Sequence, residues 1–396
     1  MSNTLLTSSV ITKEALRILH QKLNFVGNID RQYDDRFAQE GAKIGSSLRI
    51  RYPVQYVTST GASLGTPTDS VETETSLSVT TQRKVVMRFT AQELTMQIDD
   101  FSKRFITPAI SVLAANIEAD ALSMHRDIYQ SVNNLGAAAN FRSLMLARKR
   151  LDDSLTPDDD ERKVLLNTQD NVDLVDSLKG LFQASDSIKE QYKRGILGST
   201  AGFDFYQNTL LPTQTTGTAL AATTYTVNGA NQTGSGVIVA VGATTFAVGD
   251  IVTFAGCNEV HPETKTDTGR LQQFVVTTAY AGGAGTLAIS PAIVVTGARQ
   301  NVTASPTNGG AVVKIGGASA VYRPSLAFHP EAFTFATADL IMPKGVDMAS
   351  RQVMDGISMR LVRQYDINED RMPCRIDVLY GFKTLRPELA CRILSN

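Results

Sequence analysis

The chain is poor in the residues that carry redox, metal and membrane chemistry. Its 396 residues include three cysteines, Cys257, Cys374 and Cys391, scattered and without a CxxC pair. That usage argues against a disulfide framework or a zinc site and fits folding in a reducing cytoplasm. No run of about 18 apolar residues exists, so no helix is expected to span a membrane. The opening MSNTLLTSSV lacks a basic segment and a long apolar core, so no signal peptide is expected. Charged residues make up only 19% and the net charge is -1. A strong nucleic-acid binder normally shows a basic face, and this balance argues against one. It leaves open a surface that merely encloses nucleic acid.

Catalytic signatures are also missing. The four histidines, His20, His125, His261 and His329, fall in no HExxH or comparable metal spacing. Asp158-Asp159-Asp160-Glu161 lacks the alternating ligands and the glycine of a calcium loop, and reads as a solvated turn. The glycine-rich GILGSTAG at 195–202 has no following Gly-Lys-Ser/Thr, so it reads as a connection and not a phosphate cradle. No G-x-S-x-G elbow occurs. Asp99 and Asp100 are adjacent and face different ways, which makes a poor acid/base pair. Arg148-Lys149-Arg150 reads as a solvated helix face balanced by Asp152 and Asp153. No catalytic, cofactor or metal residue is therefore assigned, and no enzyme is expected.

What is present is a set of periodic segments. The length predicts two or three units, and 42% hydrophobic residues allow a sizeable core. Residues 12–26 predict an amphipathic helix capped by Thr12, with Leu16, Leu19, Leu23 and Val26 on one face. Residues 48–56 alternate. Leu48, Ile50, Tyr52, Val54 and Tyr56 point one way, Arg49, Arg51, Pro53 and Gln55 the other, and Pro53 marks an edge strand. With a second strand from about Leu77 to Phe89, the segment predicts a long two-stranded hairpin, marginal alone and in need of a partner surface. Thr107 as cap and Pro108 at the first helical position open the strongest helix signal, over 108–129. At 1.5 Å per residue it would run roughly 33 Å and serve as a spine. A helix at 141–152, a strand at Lys163–Asn167 and a helix capped by Asp170 or Asn171, bearing Val175, Leu178, Leu181 and Phe182, follow.

Composition shifts near Thr215. Residues 215–320 hold eight charged side chains and sixteen of the 29 glycines. Short runs such as GVIVAV, DIVTF, QFVVTT, TLAIS and AVVKI predict a small all-β barrel or sandwich inserted into a mixed α/β unit. Its expected core includes Val239, Val241, Ile251, Phe254, Phe274, Val276, Leu287 and Ile289. Strands are predicted again at 357–365, 374–382 and 390–394.

Several landmarks then fall in order. Ala201-Gly202-Phe203-Asp204 is followed by Leu211-Pro212-Thr213, then Gly249-Asp250-Ile251-Val252-Thr253-Phe254-Ala255-Gly256, then Arg375-Ile376-Asp377-Val378-Leu379-Tyr380-Gly381 and Arg386-Pro387-Glu388. Over roughly the last 190 residues the chain resembles coat proteins of the P-twenty-two-like podoviruses, while the first half matches by architecture. The resemblance implies an α+β, HK-ninety-seven-like capsid fold with an inserted all-β barrel, here shorter than the family's. It places an N-terminal arm at 1–44, an extended hairpin loop at 45–90, spine helix and peripheral domain at 91–134, axial domain at 135–214, the insert at 215–320 and the axial/peripheral remainder at 321–396. It implies a major capsid protein of a tailed double-stranded DNA phage, assembling in the bacterial cytoplasm into hexamers and pentamers of the virion shell. The implied partners are a scaffolding protein, a portal protein at one vertex and packaged DNA by non-specific contact, with no cofactor and no membrane. Arg49, Arg51, Tyr52 and Tyr56 are the expected inter-subunit contacts. The alternatives are a phage tail or baseplate protein, an enzyme with a β-domain insertion, and an encapsulin-type shell.

Overall fold

The computed structural model describes residues 8–34, 47–56, 58, 61–62, 73–89, 106–178, 199–354, 356–367 and 372–395. Asp99, Asp100, Leu181, Phe182, the break at 195–198 and most of the polar turn between the hairpin strands lie outside them. The chain divides into two compact units. The first takes Met1–Ile50, Thr75–Leu122 and Phe333–Leu385, and the second Arg51–Glu74, Ser123–Ala332 and Arg386–Asn396.

In the first unit, helix α1 covers Ser8–Lys22 and buries Ala15, Leu16, Ile18 and Leu19. It begins four residues before the expected start, so Thr12 sits buried inside the helix and is not its cap. Leu23 and Val26 are buried beyond its end, and Val26 opens a short 3-10 turn, Val26–Asn28. Helix α2, Thr107–Leu122, carries the spine stripe inward with Ile110, Leu113, Ala114, Ile117 and Ala121. A 3-10 turn, Ser123–Asp127, replaces the last part of the predicted helix and belongs to the second unit. The Glu118 carboxylate, 1% exposed, accepts the backbone N–H of Phe25 and, at 3.2 Å, of Val26. These donors would otherwise be orphaned at the start of the turn. The sheet runs Asp30–Asp34, Phe333–Ala338, Met372–Thr384, Ile357–Arg363, Met348–Met354, and Thr81–Phe89 pairs with Met372–Thr384 over nine positions. Phe333–Ala338 is buried at every position, which removes the alternation that sequence reading needs.

In the second unit, helix α3, Phe141–Asp153, opens with a reciprocal capping box between Asn140 and Ser143. Helix α4, Thr168–Leu178, starts earlier than predicted. Its cap is Asn167, whose Oδ1 accepts the Asp170 N–H at 2.7 Å, and not Asp170 or Asn171. These helices lie with a sheet ordered Ser131–Asn133, Ala390–Leu394, Ser325–Phe328, Lys163–Leu166, Phe203–Gln207, Ser199–Thr200. A second six-stranded sheet holds Ala222–Thr226, Ala311–Lys314, Ile251–Phe254, Phe274–Val276, Gly285–Ile293 and Gly234–Val239. Its first and last strands meet as well: Val227 bridges Val239, the Asn228 N–H donates to the Ile238 carbonyl at 2.9 Å, and the Ala240 N–H to the Thr226 carbonyl at 2.8 Å. The architecture is α+β.

Candidate functional site

The hairpin forms from strand Ser47–Arg51 paired with Glu74–Ser78. The expected second strand, Leu77 to Phe89, is two strands. Glu74–Ser78 serves the hairpin and Thr81–Phe89 serves the main sheet of the first unit. Gly381 permits that switch, because a Cβ there would collide with the Ser78 carbonyl.

Arg49, Arg51, Pro53 and Gln55 are exposed, while Ile50, Tyr52 and Val54 are half-buried. Ile50 packs on a cluster of Leu77, Val79, Ala336, Ala338 and Leu379, so the base of the stripe rests on its own sheet. Tyr56 departs from the stripe at 74% exposure. The regular ladder ends at Arg51, two residues before Pro53, which brings no N–H to continue it. The Tyr52 N–H still donates to the Thr73 carbonyl at 2.9 Å.

Next to the hairpin, Asp120 of α2 accepts a bidentate pair from Arg83, at 2.9 and 2.8 Å, and the Tyr380 hydroxyl at 2.5 Å. Burial pushes the Asp120 carboxyl up, but the hydrogen bonds from Arg83 and Tyr380 outweigh it, and the net shift is downward. The Tyr380 hydroxyl is pushed up, first by burial and then by Asp120. This trio ties helix α2 to two paired strands of the main sheet, Thr81–Phe89 and Met372–Thr384, at one point. Sequence reading missed it, because its members lie 37 and 260 positions apart and none belongs to a motif.

In the sheet of residues 222–314, Val239, Phe254, Phe274, Leu287, Val276 and Ile289 share one buried cluster with Tyr225, Phe246 and Val252. The rings of Phe254 and Phe274 lie 5.5 Å apart and tilted. Two expected core residues stand elsewhere. Ile251 is buried, yet with Tyr322 and Leu394 on the opposite side of its strand, since Val252 and Phe254 take the inner positions of a period-two chain. Val241 lies past the end of its strand and is 75% exposed.

The other charged motifs are neutralised within the second unit. Arg148 donates to the Ala201 carbonyl at 2.8 Å and approaches Asp152 and Asp158. Arg150 lies 3.7 Å from Glu259, which holds Arg270 at 2.8 Å, and Arg270 in turn meets Asp153 at 2.7 Å. Asp159, Glu161 and His329 bring one potential ligand atom each within 4.8 Å of one another. However, His329 Nδ1 accepts the Glu331 N–H at 3.4 Å, so the tautomer assigned from these partners directs Nε2–H at Asp159, 3.3 Å away. That arrangement makes a hydrogen bond from the ring to the carboxylate. Burial pushes the thiols of Cys257 and Cys391 up to about 12 and that of Cys374 up to about 11, so all three stay protonated near neutrality.

The family profile described as P22 coat protein, gene protein 5, matches residues 2–394. The chain belongs to the P22 coat protein family. It is a phage major capsid protein, a structural subunit that self-assembles into the icosahedral shell of the virion. A search of curated proteins finds no match. Among solved structures, the coat protein is similar to a chain described as Mycobacterium phage Che8, at 11% identity over 91% of this chain and 88% of that one, with a TM-score of 0.45. The mature capsid of bacteriophage PhiM1 gives 10% identity over 94% and 87%, at 0.46. The capsid of Ralstonia phage GP4 gives 8% over 94% and 88%, at 0.45.

Proposed function

We propose that this coat protein builds its shell with a scaffolding partner in the bacterial cytoplasm, as hexamers and pentamers with a portal at one vertex, and that its hairpin completes a neighbouring subunit. The shell then encloses tailed-phage DNA through non-specific contact, and the protein acts structurally, without catalysis. The observation that carries the reading is the hairpin. It is a two-stranded ribbon whose described surface exposes Arg49, Arg51 and Tyr56, and two strands alone are marginal in water. Tyr52, half-buried, lies on the opposite face with Ile50. The nearly neutral chain suits a container wall, since a strongly basic wall would bind the packaged DNA through many phosphates.

The segment 215–320 is read here as a barrel inserted into the axial domain. Three features support it: hydrogen bonds between the first and last strands, a single apolar cluster inside, and ends that meet, with the Thr216 N–H on the Ala320 carbonyl and the Ser319 N–H on the Gly217 carbonyl. Co-expression with the scaffolding protein tests the whole reading. Closed shells by negative-stain microscopy are the expected outcome. A protein that stays monomeric or dimeric under every assembly condition would overturn it.

A further inference from the structure

Helices α3 and α4 lie on the same face of the sheet that holds Lys163–Leu166. Leu144, Ala147 and Leu151 of α3 and Leu174 of α4 share one buried cluster with Val164 and Leu166, alternate positions of that strand. The opposite side of each helix faces outward, and the two outward stripes are built alike. On α3 the stripe is Arg142, Met145, Leu146 and Lys149, all exposed. On α4 it is Gln169, Val172, Asp173 and Asp176, exposed except for the half-buried Asp173. Both follow the i, i+3, i+4, i+7 spacing that sets side chains above one another along a helix.

The middles of the stripes are apolar. Met145, Leu146 and Val172 are 38%, 42% and 60% exposed. Single apolar side chains on a surface are ordinary, but an outward pair on one helix and a third at the matching position of the next form a patch. The flanking charges are opposite in sign. Arg142 and Lys149 bracket the apolar pair on α3, and neither makes an ion pair among the described residues. The acids of α3 are already engaged, Asp152 by Arg162 and Asp153 by Arg270. Helix α4 carries Asp173 and Asp176 on its stripe and has no basic residue along its length. A second copy of this chain matches both stripes at once, because each is the complement of the other. We propose that the outer face of α3 in one subunit docks on the outer face of α4 in a second subunit, with Met145 and Leu146 against Val172, and Arg142 and Lys149 toward Asp173 and Asp176. This contact rests on the assembly reading above and names one junction within it. Like charges disfavour α3 against α3 and α4 against α4, which fixes the pairing. A chain that carries both halves of a contact repeats it from copy to copy.

Charge reversal in the full-length protein, assembled with its scaffolding protein and read by sedimentation, tests the contact. Arg142→Glu with Lys149→Glu should move the protein from shells to the unassembled fraction, and so should Asp173→Lys with Asp176→Lys. All four changes together restore opposite charges and should recover shells. Normal shells from either reversed pair, or a fourfold variant no better than the pairs, overturns the contact while leaving the coat reading intact. Absence of shells from the unaltered protein sinks the assembly reading instead. Thermal melting of each unassembled variant checks that it folds. Where one does not, a cross-link decides. Shells assembled from a mixture of Met145→Cys chains and Val172→Cys chains, mildly oxidised, should give disulfide-linked dimers in excess of either variant alone, since the native Cys257, Cys374 and Cys391 are buried. No excess in the mixture overturns the proposal.

Discussion

Phe254 and Val241 differ in what surrounds them more than in chemistry. Phe254 is fully enclosed beside Phe274, and truncation leaves a hole that its neighbours only partly fill. Phe254→Ala should therefore destabilise by about 3–5 kcal/mol in chemical or thermal unfolding. Val241→Ala, at an exposed site, should leave the transition within error. Asp120 makes a different kind of prediction. Its folded pKa is depressed below the unfolded 3.8, so its contribution is complete above that value and is lost as pH falls through the lower folded one. Asp120→Asn should melt below the unaltered protein at neutral pH, and the gap should close on acidification below 3.8. A gap constant from pH 7 to pH 2 would show that the carboxylate charge plays no part.

The hairpin's two faces differ in their surroundings at the element scale. Ile50 rests on its own sheet, whereas Arg49 and Arg51 face outward. Exposed ion pairs contribute roughly 0–1 kcal/mol each, so Arg49→Glu with Arg51→Glu should barely move the melting of the unassembled protein. Shell yield by sedimentation should fall, or become salt-sensitive, because a weak contact repeats at every subunit junction. Normal yield at both low and high salt would remove these arginines from the interface. Clean alternation from Arg49 to Gln55 made this ribbon readable in advance. Its partner strand is not continuous as the sequence predicts, because nothing local marks the point near Val79 where the chain leaves one sheet for another.

The sheet of residues 222–314 and the sheet that holds Ala390–Leu394 share one compact unit, which sets a test for the whole molecule. A fragment spanning about 217–320 retains the closing hydrogen bonds and the inner cluster, so it should fold alone with a β-type circular dichroism spectrum. It would also uncover Ile251, which in the full chain is covered together with Tyr322 and Leu394. Ile251→Thr should therefore raise the fragment's solubility while it lowers the melting temperature of the full-length protein. A disordered fragment would mean that the sheet depends on the rest of the chain.

The sequence by itself determined the local features: the spine stripe opened by Thr107 and Pro108, the helix at 141–152, the period-two ribbon and the charge-poor, glycine-punctuated segment. Each is written within a few residues, where helical or strand periodicity is decided. Only the tertiary structure decided that Phe333–Ala338 is a strand buried on both faces, that Ile251 turns outward from its own sheet's core, and that Asp120 meets Arg83 and Tyr380. It alone placed Arg392 against Gly249, across 143 positions of chain. Such pairings come from closing long loops around apolar surface, and no local pattern encodes which charged residue will be enclosed when the loop closes.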